Sequence, residues 1–434
     1  MEAGTADVAR GGFGPEWLKA LSGNARRSFK AAFLGYTLDA FDLIILTLSL
    51  AAIGATFGVG TGETGTLVTV NLAFSALGGI IAGVLADRLG RAKTLMITVG
   101  WFSFFTALSG FAQSYEQLLV LRALQGIGFG GEWATGAALV AEVARPEHRG
   151  RLLGGIQSAW AIGWGLAVIV WAIVFSLAPE EEAWRYLFFI GILPALLILY
   201  VRRQVKDSDV YLETRRAEEE KREQAISAGA TKSPLAQIFA RDLIGITIPA
   251  TVLATGIQGG YYAMFTWVPT YLKEERGLTV VGTGSYLAVL IVSAFVGYVT
   301  AGYIHDKLGR RKAFALYAIA SGISLFLYVS VPEGGNGVLL LVAIPLGFFS
   351  SGAFSGFGSY LAELYPTRAR GAGQGFTYNG GRAIGALFPL AIGVLAAAFG
   401  LAGAILFGCA AYGLALLALP FLPETQGKTF TAVD

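Results

Sequence analysis

The sequence predicts an all-α integral membrane protein, with twelve transmembrane helices in two six-helix pseudo-repeats and both termini in the cytoplasm. Three observations carry this reading. Hydrophobic residues make up 55% of the 434-residue chain and charged residues 14%, with a mean hydropathy of +0.61, whereas a soluble domain carries about 25% charged residues. Motifs of the first half return in the second at an almost constant offset. Of the 32 Lys and Arg residues, 27 fall in segments that share one side of the membrane when the spans are threaded in order.

Residues 1–28 are polar and lack the apolar core and small-residue cleavage site of a signal peptide, so a cytoplasmic tail is expected. Apolar stretches long enough to cross about 30 Å of hydrocarbon follow at 29–57, 64–86, 94–112, 117–142, 150–177 and 185–202. They make an N-terminal six-helix bundle over 29–203. Residues 204–241 are the one long polar segment in mid-chain and are read as a cytoplasmic linker. Their mixed-sign run from Glu213 to Glu223 suits either a helix on the membrane surface or a solvated link. Further apolar stretches at 243–271, 279–304, 313–331, 337–362, 371–399 and 401–422 make a C-terminal bundle over 242–423, with a cytoplasmic tail at 424–434.

Only Arg185, Lys273 and Arg276 lie in the opposite loops, while Arg122 and Arg382 lie within spans. By the positive-inside rule the termini face the cytoplasm, in a multi-pass protein of the cell membrane. The net charge of +3 follows from this topology and gives no reason to expect a nucleic-acid partner. The single cysteine, Cys409, precludes an intramolecular disulfide and a Cys/His metal cluster, so no metal or redox cofactor is expected. His148 and His305 stand beside basic runs and are expected at headgroup level. The sequence offers no phosphate loop, metal cluster or nucleophile–base pair that would suggest an enzyme.

"GGIIAGVLADRLGRAK" (78–93) answers "GYVTAGYIHDKLGRRK" (297–312) at an offset of 219, carrying Asp87, Gly90 and Arg91 onto Asp306, Gly309 and Arg310. "LLVLRALQGIGFGGEWATGAALVAE" (118–142) answers "LLLVAIPLGFFSSGAFSGFGSYLAE" (339–363) at 221, carrying Gly126 onto Gly347 and Glu142 onto Glu363. Two repeated halves with a central site near the bilayer midplane is how many secondary transporters are built. The loop "GVLADRLGRAK", its copy, "RALQGIG" (122–128) and "PETQGK" (423–428) resemble the major facilitator superfamily over nearly the whole chain. "GYTLDAFD" in the first span and "GFTYNGGRAIGALFPLAIG" (375–393) in the eleventh are similar to the sialic acid and monocarboxylate proton symporters, and less closely to aromatic-acid symporters.

Five ionisable groups inside spans identify the expected site. A charge at a span's centre costs at least about 2.5–3.5 kcal/mol and nearly always faces the bundle interior or a watery path. Asp39 and Asp42 lie three residues apart on one face near the midplane, and two like charges there form a proton acceptor. Glu132 reaches a similar depth in the fourth span, and Arg122, by resemblance, tunes a nearby acid. Arg382 in the eleventh span is a permanent cation able to grip a carboxylate with two parallel hydrogen bonds, which makes it the expected substrate anchor. Tyr378, Asn379 and Gln374 share its helix. The repeat carries Asp39 and Asp42 onto Gln258 and Tyr261, so Gln258, Tyr261 and Tyr262 are further site candidates. The fifth span adds Gln157 and Trp160, with packing an equally good role.

Gating is expected from Asp87, Arg88, Arg91 and Lys93, from Glu142 with Arg149, from Asp306 and Arg310, and from Glu363 with Arg370. Gly126, Gly128, Gly130 and Gly131 are expected to let helices approach closely. The resemblance implies a proton-coupled symporter importing a small organic anion by alternating access, a monocarboxylate such as lactate or pyruvate. Aromatic acids, nicotinate and sugar acids suit the same fold, and a neutral sugar or a non-transporting receptor suits it less. Protons serve as the coupling ion, the lipid bilayer is the surrounding partner, and the chain is expected to work as a monomer.

Overall fold

The computed structural model describes residues 21, 23–143, 149–204, 237–366 and 369–426, and among them every regular element is helical. Each stretch expected to span is helical. The first half comprises α1 (Gly23–Phe57), α2 (Thr61–Leu89), α3 (Arg91–Ser109), α4 (Tyr115–Val143) and α5 (Arg149–Leu177), followed by α6 (Glu180–Ile190) and α7 (Leu196–Gln204). The second comprises α8 (Ile244–Glu274), α9 (Val280–Leu308), α10 (Arg310–Ser330) and α11 (Asn336–Gly352), the last continued by the 3₁₀ turn Ala353–Gly356 into α12 (Phe357–Leu364). Then come α13 (Arg370–Gly385), α14 (Leu387–Ile405) and α15 (Phe407–Ala418). Gly400, with φ of 69°, breaks α14 where the eleventh and twelfth stretches were expected to divide. Eight helical stretches among the described residues are long and apolar enough to cross a membrane. The run Glu213–Glu223 lies outside the described residues.

The repeat in the sequence is a repeat in the backbone. A single glycine joins α2 to α3 and α9 to α10: Gly90 at φ of 97° and Gly309 at 86°. This left-handed region strains any residue with a Cβ. Each glycine amide returns a 3.1 Å hydrogen bond to the helix it ends, at Ala86 O and His305 O.

Glycine also sets how α4 sits. A Cβ on Gly126 would overlap the Asn71 backbone and one on Gly130 the Ser75 backbone, both of α2. On the other side, a Cβ at Gly128 would lie 2.7 Å from Phe102 N of α3, and Gly131 presses on Thr98. α4 is thereby wedged between two helices with its backbone in contact, as small residues allow in membranes. Gly297 and Gly347, the repeat partners of Gly78 and Gly126, make the same approach between α9 and α11.

The halves meet along two seams. α5 packs on α9, and α2 packs on α13 and α14. On α2, Thr61, Gly65 and Thr69 recur every four residues and face α14. Thr61 donates to Gly393 O at 2.7 Å, Thr69 donates to Ala386 O at 2.6 Å, and a Cβ on Gly65 would lie 2.6 Å from Pro389 O. Lys273 of α8 pairs with Glu180 of α6 across the halves.

His305 corrects an expectation. It is 1% exposed, stacks on the Tyr317 ring at 5.7 Å and 7°, and occupies the space left by the missing Cβ of Gly356. A hydrophobic slot between α9, α10 and the 3₁₀ turn takes the ring that its basic neighbours in sequence suggested would sit at the surface. His148 lies outside the described residues.

Because Gly130 meets backbone rather than a movable side chain, Gly130→Leu is expected to cost about 1–3 kcal/mol or more by overpacking. The measurement is the unfolding temperature of the detergent-solubilised variant, with Gly83→Leu, whose Cβ would meet open space, expected to stay near the native value.

Candidate functional site

The halves enclose a central cavity of about 20 Å³, lined by Tyr36, Leu43, Leu72, Phe129 and Trp160 from the first half and by Tyr261, Tyr262, Tyr298, Phe354, Tyr378 and Arg382 from the second. This is room for about one water molecule. Tyr36, Asp39 and Leu43 share a face of α1 by their three- and four-residue spacing.

Arg382 is 6% exposed, and its guanidinium lies 5.2 Å from the Tyr378 ring centroid and 5.9 Å from that of Phe129. The Tyr262 and Tyr378 side chains lie beside it. Gln258 stands behind the cavity wall. Its amide donates to Tyr378 O at 2.9 Å, and its carbonyl oxygen accepts from the Tyr262 hydroxyl at 3.1 Å. It therefore orients both tyrosines without lining the cavity.

The acids separate into two groups, where the sequence suggested one pair. Asp42 is fully buried, accepts hydrogen bonds from Thr106 and Gln125, and lies 3.8 Å from Arg122. Gln125 in turn accepts from Asn71, and the Arg122 guanidinium stacks 4.0 Å above the Phe188 ring. Asp39 lies within electrostatic reach of Glu132 and Arg382, and also of Asp42. Glu132 is fully buried against Gly35 of α1, where a side chain would collide with its carboxylate. Asp39 Oδ1 and both Glu132 carboxylate oxygens are buried without a hydrogen-bond partner among the described residues. The helical spacing put both aspartates on one face; the partner helices gave each a different neighbour.

Other candidates lie outside the cavity. Asn379 donates to Gly375 O in its own helix and packs on Gly79 of α2, so it belongs to the α2–α13 contact. Gln374 lies further from Arg382 along α13 and donates to Gly358 O at 3.3 Å. Gln157 is buried beside the cavity without lining it. Trp160 does line it, donating its indole N–H to the Tyr261 hydroxyl at 2.8 Å. Tyr36, Phe129, Tyr298 and Phe354 were missed. Only Tyr36 left a signal, one turn before Asp39; the others are ordinary aromatic residues in apolar spans.

Of the gating candidates, the side chains of Asp87, Arg88, Glu142 and Arg149 lie outside the described residues. Arg310 bonds Asp306 at 2.7 Å and grips Glu363 with two hydrogen bonds of 3.0 and 2.9 Å. Arg370 donates to Ala362 O at 3.1 Å. Arg91 is half-buried and Lys93 exposed. Residues 423–426 fasten this cluster: Glu424 accepts from the Arg310 and Arg311 amides at 2.8 and 3.0 Å, Thr425 donates to Glu363, and Gln426 donates to Asp306 O. Partial burial works against the Glu424 charge, but the amides of Arg310, Arg311, Gln426 and Thr425 prevail and hold its carboxyl below the usual range.

Two stability predictions follow from these contacts. Asp42→Asn leaves Arg122 buried without its counter-charge and is expected to cost about 3–5 kcal/mol; Asp39→Asn removes an acid within reach of buried Arg382 and is expected to destabilise as well, whereas Glu132→Gln removes a desolvated charge and is expected to be neutral or stabilising. Unfolding of the three variants in detergent ranks them. The depressed Glu424 pKa gives stability that is present above the ordinary carboxylate range and lost as pH falls through the folded value. Glu424→Ala is expected to cost about 0.5–2 kcal/mol near neutral pH, with the gap to the native chain closing in acid titrations of the melting temperature.

Comparison with known proteins agrees with this architecture. The chain is 39% identical over 415 residues to the probable 4-methylmuconolactone transporter of Cupriavidus pinatubonensis, covering 95% of this chain and 93% of that one. It is 32% identical over 403 residues to the cis,cis-muconate transport protein of Acinetobacter baylyi, covering 92% and 94%. Among solved structures, a D-xylose–proton symporter superposes with a TM-score of 0.74 at 21% identity, covering 93% of this chain and 99% of that one, which shows the shared fold. The family model of the Major Facilitator Superfamily matches residues 32–328 and 287–433. The chain belongs to the Major Facilitator Superfamily and is a multi-pass membrane transporter, not an enzyme.

Proposed function

We propose that this transporter is a symporter that carries one proton with one organic monoanion by alternating access of its two halves, with both termini cytoplasmic and the monomer as the working unit. The observation that carries this is the placement of Arg382, a cation of the second half, at the cavity and within electrostatic reach of Asp39 in the first. A guanidinium stays charged under any working condition. With the site empty, ionised Asp39 balances it. A substrate carboxylate arriving at Arg382 adds a second anion beside Asp39 and Glu132 in a low-dielectric chamber, where like charges are costly. A proton taken up by the acid pair restores the balance, so carboxylate and proton enter together. Asp42, tied to Arg122, Thr106 and Gln125, keeps the first half assembled around this exchange.

The cavity wall favours a flat, unsaturated acid over lactate or pyruvate. Nine of its eleven lining residues are aromatic or charged, and stacked or edge-on rings gain most from a planar partner. The relatives carrying muconate and a muconolactone support an unsaturated acid as well.

The test is uptake of labelled benzoate, nicotinate, lactate and pyruvate into proteoliposomes under an imposed pH gradient. One proton per monoanion is electroneutral, so accumulation is expected to rise about tenfold per pH unit and to ignore membrane potential. Arg382→Ala is expected to abolish uptake. Asp39→Asn is expected to lose gradient-driven accumulation while keeping exchange of external for internal substrate. Uptake of neutral sugars that is indifferent to Arg382→Ala would overturn the reading.

A further inference from the structure

We propose that the substrate carries, besides its carboxylate, a neutral hydrogen-bond acceptor that takes over the Trp160 indole N–H, and that this indole sets specificity. The inference rests on the organic-acid symport proposed above and names its substrate more narrowly.

A 20 Å³ cavity is far below the roughly 300–1,000 Å³ of a ligand pocket. Something must part to admit a ring. Among the lining residues, the described hydrogen bond that joins the halves is Trp160 Nε1 to the Tyr261 hydroxyl. Each partner is anchored in its own half. Trp160 packs on Tyr36 at 5.3 Å and on Phe129 at 6.4 Å, both of the first half. Tyr261 packs on Phe265 at 5.0 Å and Phe354 at 4.9 Å, both of the second. Separation of the halves around a substrate therefore splits this pair.

The split is unequal. The Tyr261 hydroxyl can donate or accept and has the Tyr298 and Ser351 hydroxyls near it in its own half. The indole N–H is a donor only and loses the acceptor it has in the closed arrangement. A buried donor without an acceptor disfavours the open arrangement, unless the substrate supplies the acceptor. The acceptor is neutral because the symport proposed above carries a monoanion, whose one carboxylate is already held at Arg382. The ligand class is thus a planar monocarboxylate with a carbonyl oxygen or ring nitrogen across the frame from the acid.

Benzoate, nicotinate and isonicotinate share one shape and differ in the presence and position of a ring nitrogen. Their apparent affinities are read from the rise in melting temperature of the full chain in detergent and from competition among labelled uptakes. At least one pyridine acid is expected to bind about tenfold or more tightly than benzoate. In Trp160→Phe, which keeps a ring but removes the N–H, that ratio is expected to fall to within about threefold. Benzoate binding as well as both pyridine acids, or a preference that survives Trp160→Phe, overturns the inference while leaving organic-acid symport standing. If the native chain binds none of the three and Arg382→Ala changes nothing, both proposals fall. The native panel is independent of whether the variant folds.

Discussion

An ionised side chain buried in a membrane bundle must have its charge answered by protein, and most of the functional architecture follows from how this chain answers five of them. Asp42 and Arg122 answer each other within the first half, with Thr106 and Gln125 filling the carboxylate's remaining hydrogen-bonding positions. Such a pair is worth little against an apolar substitute but is expensive to break, so it fixes α1, α3 and α4 relative to one another. Arg382 and Asp39 lie within electrostatic reach of each other across the boundary between halves, with Glu132 beside Asp39. That difference separates a charge pair that holds structure from the charges on which the proposed symport turns.

The repeat gives two halves of one backbone design and places different chemistry on each. The positions matching Asp39, Asp42, Arg122 and Glu132 hold Gln258, Tyr261, Ala343 and Ala353. The second half therefore presents hydroxyls and one cation where the first presents acids. Its neutral groups still position the site: Gln258 ties Tyr262 and the α13 backbone together behind Arg382.

Helices in lipid gain little by hiding apolar surface from one another, so close packing carries more of the burden. Glycine at positions 126, 128, 130 and 131 brings α4 onto two neighbours at backbone distance, and Thr61, Gly65 and Thr69 do the same between halves. The second contact joins hydroxyls to carbonyls of α14, a seam held by neutral bonds. At the α9–α10 junction the Asp306–Arg310–Glu363 cluster and Glu424 lie wholly within the second half. There they stiffen one half, which alternating access requires of a body that moves as a unit.

The sequence by itself determined where helices run, because hydropathy and glycine act locally. The one-residue turns at Gly90 and Gly309, the break at Gly400 and the close approach of α4 are all written in short motifs. It also identified Arg382 and the buried acids, since the cost of an intramembrane charge needs no partner to be noticed. Tertiary structure decided which of these charges meet. Helical spacing fixes the face on which Asp39 and Asp42 lie, but the identity of the helix opposite each of them is a long-range fact, and it sent one to Arg122 and the other toward Glu132 and Arg382. The same applies to Asn379 and Gln374, which share a helix with Arg382 yet turn to Gly79 and Gly358. Tyr298, Phe129 and Phe354 became site residues only when two halves closed on one cavity, because an aromatic residue in an apolar span carries no mark of what it will face.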